Sequence, residues 1–410
     1  KTGVLACVDA ESGEVHWKRK LANSQLHASP ALADGRLYVP TYPGKFYVID
    51  ITGDEPVIEH ELELDGNCVG SPSIANGRVY VHTTEKLHAF QIAEGKIDYA
   101  PAPEVEWPEP GEPAKLLPVP GDVLLRSGES AEISLRTLDS DGVEVGSVEE
   151  ADWETYIPPT AKVQAKMDAS FEGNTISASE DASLSAGAWK ATSGDLTGFL
   201  RGRVIADLPY IEDFEGFDLA VKPGGSIEGR AFDFPPLPWI GARLKWEVIE
   251  HEGNKVLSKT LDRVLFQRSL SFIGDPDLSG YTMQADLMTD GNRRIKSVVG
   301  LINQHYIISL VGNANILEVS SNHERVKESV PFPISANTWY TLKTRVDIGE
   351  DGVGVIRGKA WVKGEPEPDE WTIEVVHESA HDKGAPGLFG FAPQSQKTVF
   401  VDNVRIEFND

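Results

Sequence analysis

The chain has 410 residues, 40% of them hydrophobic, with 38 Lys and Arg against 64 Asp and Glu, for a formal net charge of −26. That length exceeds one hydrophobic core, so roughly two to four domains are expected, and the charge excludes nucleic acid or an anionic membrane as the general partner, since both would be repelled. No apolar run approaches the ~18 residues that span a bilayer as a helix, and two cysteines, Cys7 and Cys68, exclude a disulfide framework and a cysteine-built zinc site.

The first hundred residues repeat. HASPALADGRLYVPTYPGKFYVIDI (27–51) aligns with VGSPSIANGRVYVHTTEKLHAFQI (69–92), with Ser29-Pro30 recurring as Ser71-Pro72 and Gly35-Arg36 as Gly77-Arg78. Each unit reads as four short strands punctuated by Asp34-Gly35, Pro43-Gly44 and Asn76-Gly77. A repeat of about 40–45 residues with four strands is the pattern of a propeller blade. About two and a half blades are expected over 1–99, too few to close a ring.

Ala6, Asp9, Ser12, Gly13 and Trp17, in VLACVDAESGEVHW, resemble the pyrroloquinoline-quinone-like propeller repeat. That family holds quinoprotein dehydrogenases and non-enzymatic outer-membrane assembly propellers, so the resemblance implies architecture more than chemistry. The dehydrogenases carry adjacent cysteines over the quinone, whereas Cys7 and Cys68 stand far apart in the sequence. A scaffold propeller is therefore expected, rather than a quinone site. Its missing blades are expected from an N-terminal fragment or a partner chain.

A Pro-rich, acidic spacer is expected over 100–120 (APAPEVEWPEPGEPAKLLPVP). Residues 121–207 read as short alternating strands and predict an immunoglobulin-like sandwich. In KVQAKMDASF, Val163, Ala165, Met167, Ala169 and Phe171 point one way and the polar residues the other. No chemical constellation stands out there.

Residues 208–410 read as a larger all-β domain. The run WYTLKTRV, GKAWVKG, APGLFGF and VFVDNVRI, with the opening IEDFE at 211–215, resembles the concanavalin-A-like jelly roll, the group that holds laminin-G-like and lectin–glucanase domains. The fold expectation for the whole chain is all-β: partial propeller, Ig-like sandwich, jelly roll.

HESAH, at 377–381, matches the H-E-x-x-H zinc-protease pattern. A zinc protease needs both histidines one turn apart on a helix, with a third ligand beyond. Here the motif follows the strand WTIEVV and runs into Asp382-Lys383-Gly384, so in an extended chain the rings would lie ~13 Å apart. The match is read as coincidence.

Two sets of candidate site residues remain. Asp213 and Glu215 on the first jelly-roll strand and Asp402 on the last offer hard oxygen ligands that suit Ca²⁺, if those strands lie side by side. The second set is a basic hairpin: with a turn near Asp351, Arg345 falls opposite Arg357 and Lys343 opposite Lys359, beside Trp361. Like charges set opposite need an offset. Acids from a neighbouring strand would supply one, and a glycan with Trp361 as stacking platform would supply another. The acids Glu365, Glu367, Asp369 and Glu370 read as a solvated, Pro-rich turn.

The functional expectation is a non-catalytic modular protein of the cell envelope or exterior. The propeller would serve as interaction scaffold and the jelly roll would bind glycan. The alternatives are a glycoside hydrolase on the jelly roll and a quinoprotein-type dehydrogenase fragment. No Glu-x-Asp-x-x-Glu run and no G-x-S-x-G motif supports either hydrolase chemistry.

Overall fold

The computed structural model describes residues 3–23, 26–91, 108–161, 163–261, 267–292, 294–321, 326–393 and 396–409. Its regular structure is all β, apart from a single helical position at Pro393. Among the described residues no helix is long and apolar enough to cross a membrane. The chain divides into two compact units, Lys1–Trp107 and Pro108–Asp410.

In the first unit, strands Ala31–Ala33, Arg36–Pro40, Lys45–Asp50 and Val57–Glu63 form a four-stranded antiparallel meander. Val4–Val8 and Val15–Lys20 pair before it; Ser73–Ala75, Arg78–His82 and Leu87–Gln91 form a three-stranded sheet after it. The repeated turns are two-residue hairpin loops. Asp34 and Gly35 have φ of 48° and 70°, and Asn76 and Gly77 have 51° and 65°. Positive φ at both positions matches the strand twist, which is why Asp-Gly and Asn-Gly recur there. Ser29 and Ser71, equivalent in the two repeats, are hydrogen bonded, with the Ser29 amide donating to Ser71 Oγ at 3.0 Å. Cys7 and Cys68 are both free thiols. Burial raises the pKa of the Cys68 thiol.

In the second unit the spacer expectation is corrected. Residues 100–107 lie outside the described residues, but Lys115–Val119 is a strand paired with Ser134–Leu138, and it buries Leu116. Beside it, Asp122–Leu125, Leu196–Val204, Ser185–Ser193 and Asp152–Tyr156 form a four-stranded sheet. The stretch 163–169 alternates in burial as expected but joins no ladder until Ser170–Glu172. Side chains replace the ladder: Ser185 Oγ accepts from the Asp168 amide at 2.8 Å, and Asp168 accepts from the Ser183 amide and hydroxyl. The chain passes so close to Gly187 that a Cβ there would lie 2.4 Å from the Met167 nitrogen.

The remaining strands make the two sheets of a jelly roll. The eight-stranded sheet runs Trp246–His251, Asn254–Lys259, Val399–Phe408, Tyr281–Thr289, Trp339–Ile348, Gly354–Val362, Ile373–His377, with Tyr210–Glu212 also on Val399–Phe408. The six-stranded sheet runs Arg268–Phe272, Gly387–Phe391, Val298–Asn303, Tyr306–Val311, Ile316–Ser320, Lys327–Pro331. Trp246, Tyr281, Leu301, Ile308, Leu342 and Val401 belong to the core between them. Burying side chains of that size contributes about 1.5–3 kcal/mol each. First and last strands lie side by side as expected, Tyr210 opposite Ile406.

Candidate functional site

The outer face of the six-stranded sheet carries a second apolar cluster, Ile302, Ile307 and Phe389, with Leu270, Phe272, Val298 and Phe391 packed on it. It arises because Gly387–Phe391, Val298–Asn303 and Tyr306–Val311 are apolar on both faces. Leu388, Leu301 and Ile308 point to the core while Phe389, Val298 and Ile307 point out. In an antiparallel sheet that usually leaves one face to water, such two-faced strands mark a covered or binding surface.

A groove of about 290 Å³ lies on this face. Register explains its depth. Gly300 sits opposite Phe389 on one side and Ser309 on the other, so the floor is low between neighbouring strands. A Cβ at Gly300 would stand 2.3 Å from the Ile308 carbonyl oxygen, which keeps the position side-chain-free. Phe389 and Phe391 line one part; Glu318, Ser320 and Lys327 line another. The Arg268 guanidinium stands 5.1 Å from the Phe389 ring centroid. Lys327 Nζ lies 3.5 Å from Glu318 Oε2. Glu318 is the one carboxylate among the described lining residues. An aromatic surface with a few polar groups around it suits a ligand that has one apolar face and many hydroxyls.

The predicted basic hairpin has the expected register: Lys343 opposite Lys359 and Arg345 opposite Arg357. Its charges are paired with acids, the first of the two expected offsets, rather than left open for a glycan. Asp347 bonds both Arg345 and Arg357; Glu374 takes Arg357 at 2.7 Å; Glu367 takes Lys343 at 3.0 Å and Lys359 at 2.7 Å. Lys359 is buried, donates to the Pro368 carbonyl at 2.7 Å and stands 4.9 Å from the Trp371 ring. Burial raises the Glu367 pKa, but the hydrogen bonds from Lys359 and Lys343 outweigh it and hold the carboxyl below its ordinary value. Of the acidic turn read as solvated, Glu367 is a counter-charge of this face, while Glu365, Asp369 and Glu370 are exposed. Trp361 is half-buried, opposite Thr341.

The predicted calcium set is also corrected. Asp213 accepts from the Glu215 amide, Glu215 from the Lys255 amide, and Asp402 is buried. Among the described residues no group of three or more His, Cys, Asp or Glu could hold a metal ion. Asp402 instead faces Asp286 across neighbouring strands. Asn403 Nδ2 bridges them, 2.8 Å from Asp286 and 3.0 Å from Asp402. Lys363 Nζ lies 2.8 Å from Asp286 and 3.6 Å from Asp402. Asn254 and the Asn403 amide also donate to Asp402, and Thr341 donates to Asp286 at 2.6 Å. Burial, only partly offset by Lys363 and these donors, holds the Asp402 carboxyl above its ordinary range.

The two histidines of HESAH come closer than an extended strand allows, with ring centroids 5.9 Å apart. The strand ends at His377 and the chain turns. Tyr306 OH is hydrogen bonded to His377 Nδ1 at 2.6 Å and accepts from the His381 amide, while His381 Nε2 meets Ser321 Oγ at 2.8 Å. No helix carries the pair, and nitrogens that face Tyr306 and Ser321 are not aimed at a shared ion.

Residues 1–137 match the family described as outer membrane protein assembly factor BamB. No curated protein matches the chain. Among solved structures it is similar to an uncharacterised protein of Mycobacterium paratuberculosis (13% identity, 48% of this chain and 99% of that one, TM-score 0.29). It is also similar to a glycosyl hydrolase family 16 protein of Mycobacterium smegmatis (14%, 48% and 98%, 0.27) and to the PL-14 alginate lyase of Aplysia kurodai (10%, 50% and 100%, 0.31). At these TM-scores the likenesses carry no argument; the family match over 1–137 accords with the blade repeat in the first unit.

Proposed function

We propose that the second unit binds glycan without turning it over, in the groove on the outer face of the six-stranded sheet. The observation that carries this reading is the groove itself, lined by Phe389 and Phe391 with the polar groups of Arg268, Ser309, Glu318 and Lys327 around them. A sugar ring stacks its C–H face on an aromatic and presents its hydroxyls outward, where Arg268, Ser309, Glu318 and Lys327 can donate or accept. Hydrolysis of a glycosidic bond ordinarily uses two carboxyl groups, one on each side of the bond. Glu318 alone, with Lys327 beside it, favours binding. A glycan array run with the whole chain tests the reading, followed by a turnover assay on every glycan retained. Retention without product supports it. Product release from a retained glycan would replace it with the hydrolase alternative.

A second reading concerns the first unit. Leu32, Leu87 and Val57 are more than half exposed, and Val4 and Val8 nearly so. Apolar side chains left open on a few propeller-like sheets favour an interaction scaffold completed by further blades. The secreted, periplasmic or cell-surface location expected for such a protein belongs to the same reading. Mass spectrometry of the native protein under non-denaturing conditions tests it, by finding or failing to find a second polypeptide bound.

A further inference from the structure

A separate pocket of about 250 Å³ lies at the edge of the eight-stranded sheet. It is lined by Ser226, Ile227, Arg230, Ser258, Lys259 and Thr398, with Leu261. Its walls come from three places: the segment before Trp246–His251, the end of Asn254–Lys259, and the residue before Val399–Phe408.

The cations here are built in. Arg230 Nη2 bonds Glu247, a carboxylate 3% exposed, and donates to Ser226 Oγ at 3.1 Å. Ser226 closes the triangle, its hydroxyl donating to Glu247 at 2.8 Å. These contacts fix the guanidinium plane. Arg230 Nε is nonetheless buried, with no hydrogen-bond partner. A buried guanidinium N–H normally finds an acceptor, because leaving water without replacing its bond is costly. Lys259, itself 3% exposed, brings an ammonium to the same pocket and donates to the Thr260 carbonyl at 3.0 Å. Its stem is fixed where Gly390 approaches: a Cβ at Gly390 would lie 3.2 Å from Lys259 Cδ. Ser258 Oγ and Thr398 Oγ1 lie 3.4 Å apart in the wall, where the Thr398 hydroxyl donates to the Lys259 carbonyl.

We propose that this pocket binds a small oxyanion, as the carboxylate or sulfate group of a compact ligand. Arg230 Nε–H is the primary donor, and Lys259 supplies charge. A guanidinium fixed through Nη2 by Glu247 and Ser226 holds its Nε–H in one place, and a charged N–H donating to an oxyanion makes a strong hydrogen bond. Ile227, 53% exposed, and Leu261 give the ligand body an apolar wall. The site shares no lining residue with the groove on the six-stranded sheet, so it stands or falls independently of that reading.

Isothermal titration calorimetry of the full chain tests this, with D-glucuronate and inorganic sulfate as probes at constant ionic strength and D-glucose as uncharged control. The expected result is one saturable site per chain for at least one of the two anions and none for glucose. Affinity should fall at least fivefold in Arg230→Gln and in Ile227→Trp, which fills the pocket, and should be unchanged in Phe391→Ala, which alters the groove. If Arg230→Gln does not fold, Ile227→Trp decides alone, because its position is exposed. No saturable heat with either anion, wild-type affinity in a folded pocket variant, or loss of binding in Phe391→Ala would overturn the proposal.

Discussion

Arg345 and Arg357 stand directly opposite each other across the hairpin, and one carboxylate, Asp347, bonds both. Two guanidinium groups in that register repel unless an acid lies between them. Asp347 is on the same strand as Arg345, two residues on, so the offset is local to the hairpin. Replacing Asp347 with Asn should lower stability by about 1 kcal/mol, since the site is partly exposed. Urea unfolding in low and high salt checks this; the deficit should shrink in high salt. A deficit independent of salt would mean that Asp347 acts through packing or its bond to Asn409 instead.

Glu367 provides a pH test. Its folded-state pKa lies below its ordinary value, so its contribution to stability is present above the unfolded pKa and is lost as pH falls through the folded one. In the wild type, unfolding free energy should therefore decline on acidification below about pH 4.5, the ordinary glutamate value. Glu367→Gln should flatten that decline. Denaturation curves at a series of pH values would show it, and an unchanged slope would mean Lys343 and Lys359 do not depend on this acid.

The Asp286–Asp402 pair predicts an asymmetry. Lys363 is the cation that both carboxylates share. Lys363→Met should destabilise by about 2 kcal/mol, because two buried carboxylates would face each other without a counter-charge; Lys363 is itself partly exposed, which moderates the loss. Asp402→Asn should cost less, because burial already disfavours the Asp402 charge. Thermal unfolding of both variants ranks them. The reverse order would contradict the network as described.

Much of this was legible in the sequence, and what was missed has a physical reason. The Asp-Gly and Asn-Gly turns fixed the blade hairpins because both turn residues need positive φ, a local property. The Arg345–Arg357 register followed from the turn centre for the same reason. An acidic offset for those cations was expected, but not which acids beyond the hairpin supply it. Glu367 and Glu374 reach them from the next loop and strand, and Asp286 reaches Asp402 across 116 positions, so no local pattern announces them. The stretch 163–169 kept its alternating burial but not its ladder, since periodicity reports which side is buried and not what bonds the backbone. The groove did leave a trace: VVGLIN, YIISLV and GLFGF are apolar on both faces, which an open antiparallel sheet does not require.

Gly187 tests the account of that unpaired stretch. A Cβ there would meet backbone atoms of Lys166 and Met167, which cannot swing away as a side-chain tip can. Gly187→Ala should destabilise by about 1–3 kcal/mol. Hydrogen exchange should localise the loss to residues near 163–172 and to Ser185–Ser193. Loss of protection in the jelly-roll sheets instead would contradict the local clash.

The most direct test of the central claim is the affinity of Phe391→Ala for a glycan that the wild-type chain retains, measured by calorimetry on the folded protein. Phe391 is half-buried on the groove, opposite Val298 and Arg268. Losing its ring removes the stacking surface and leaves the inter-sheet core intact. Binding should weaken about tenfold, which corresponds to about 1.4 kcal/mol, while Trp361→Ala on the opposite sheet leaves it unchanged. Wild-type affinity in Phe391→Ala, or loss of binding in Trp361→Ala, would contradict the placement of the glycan site on the six-stranded sheet.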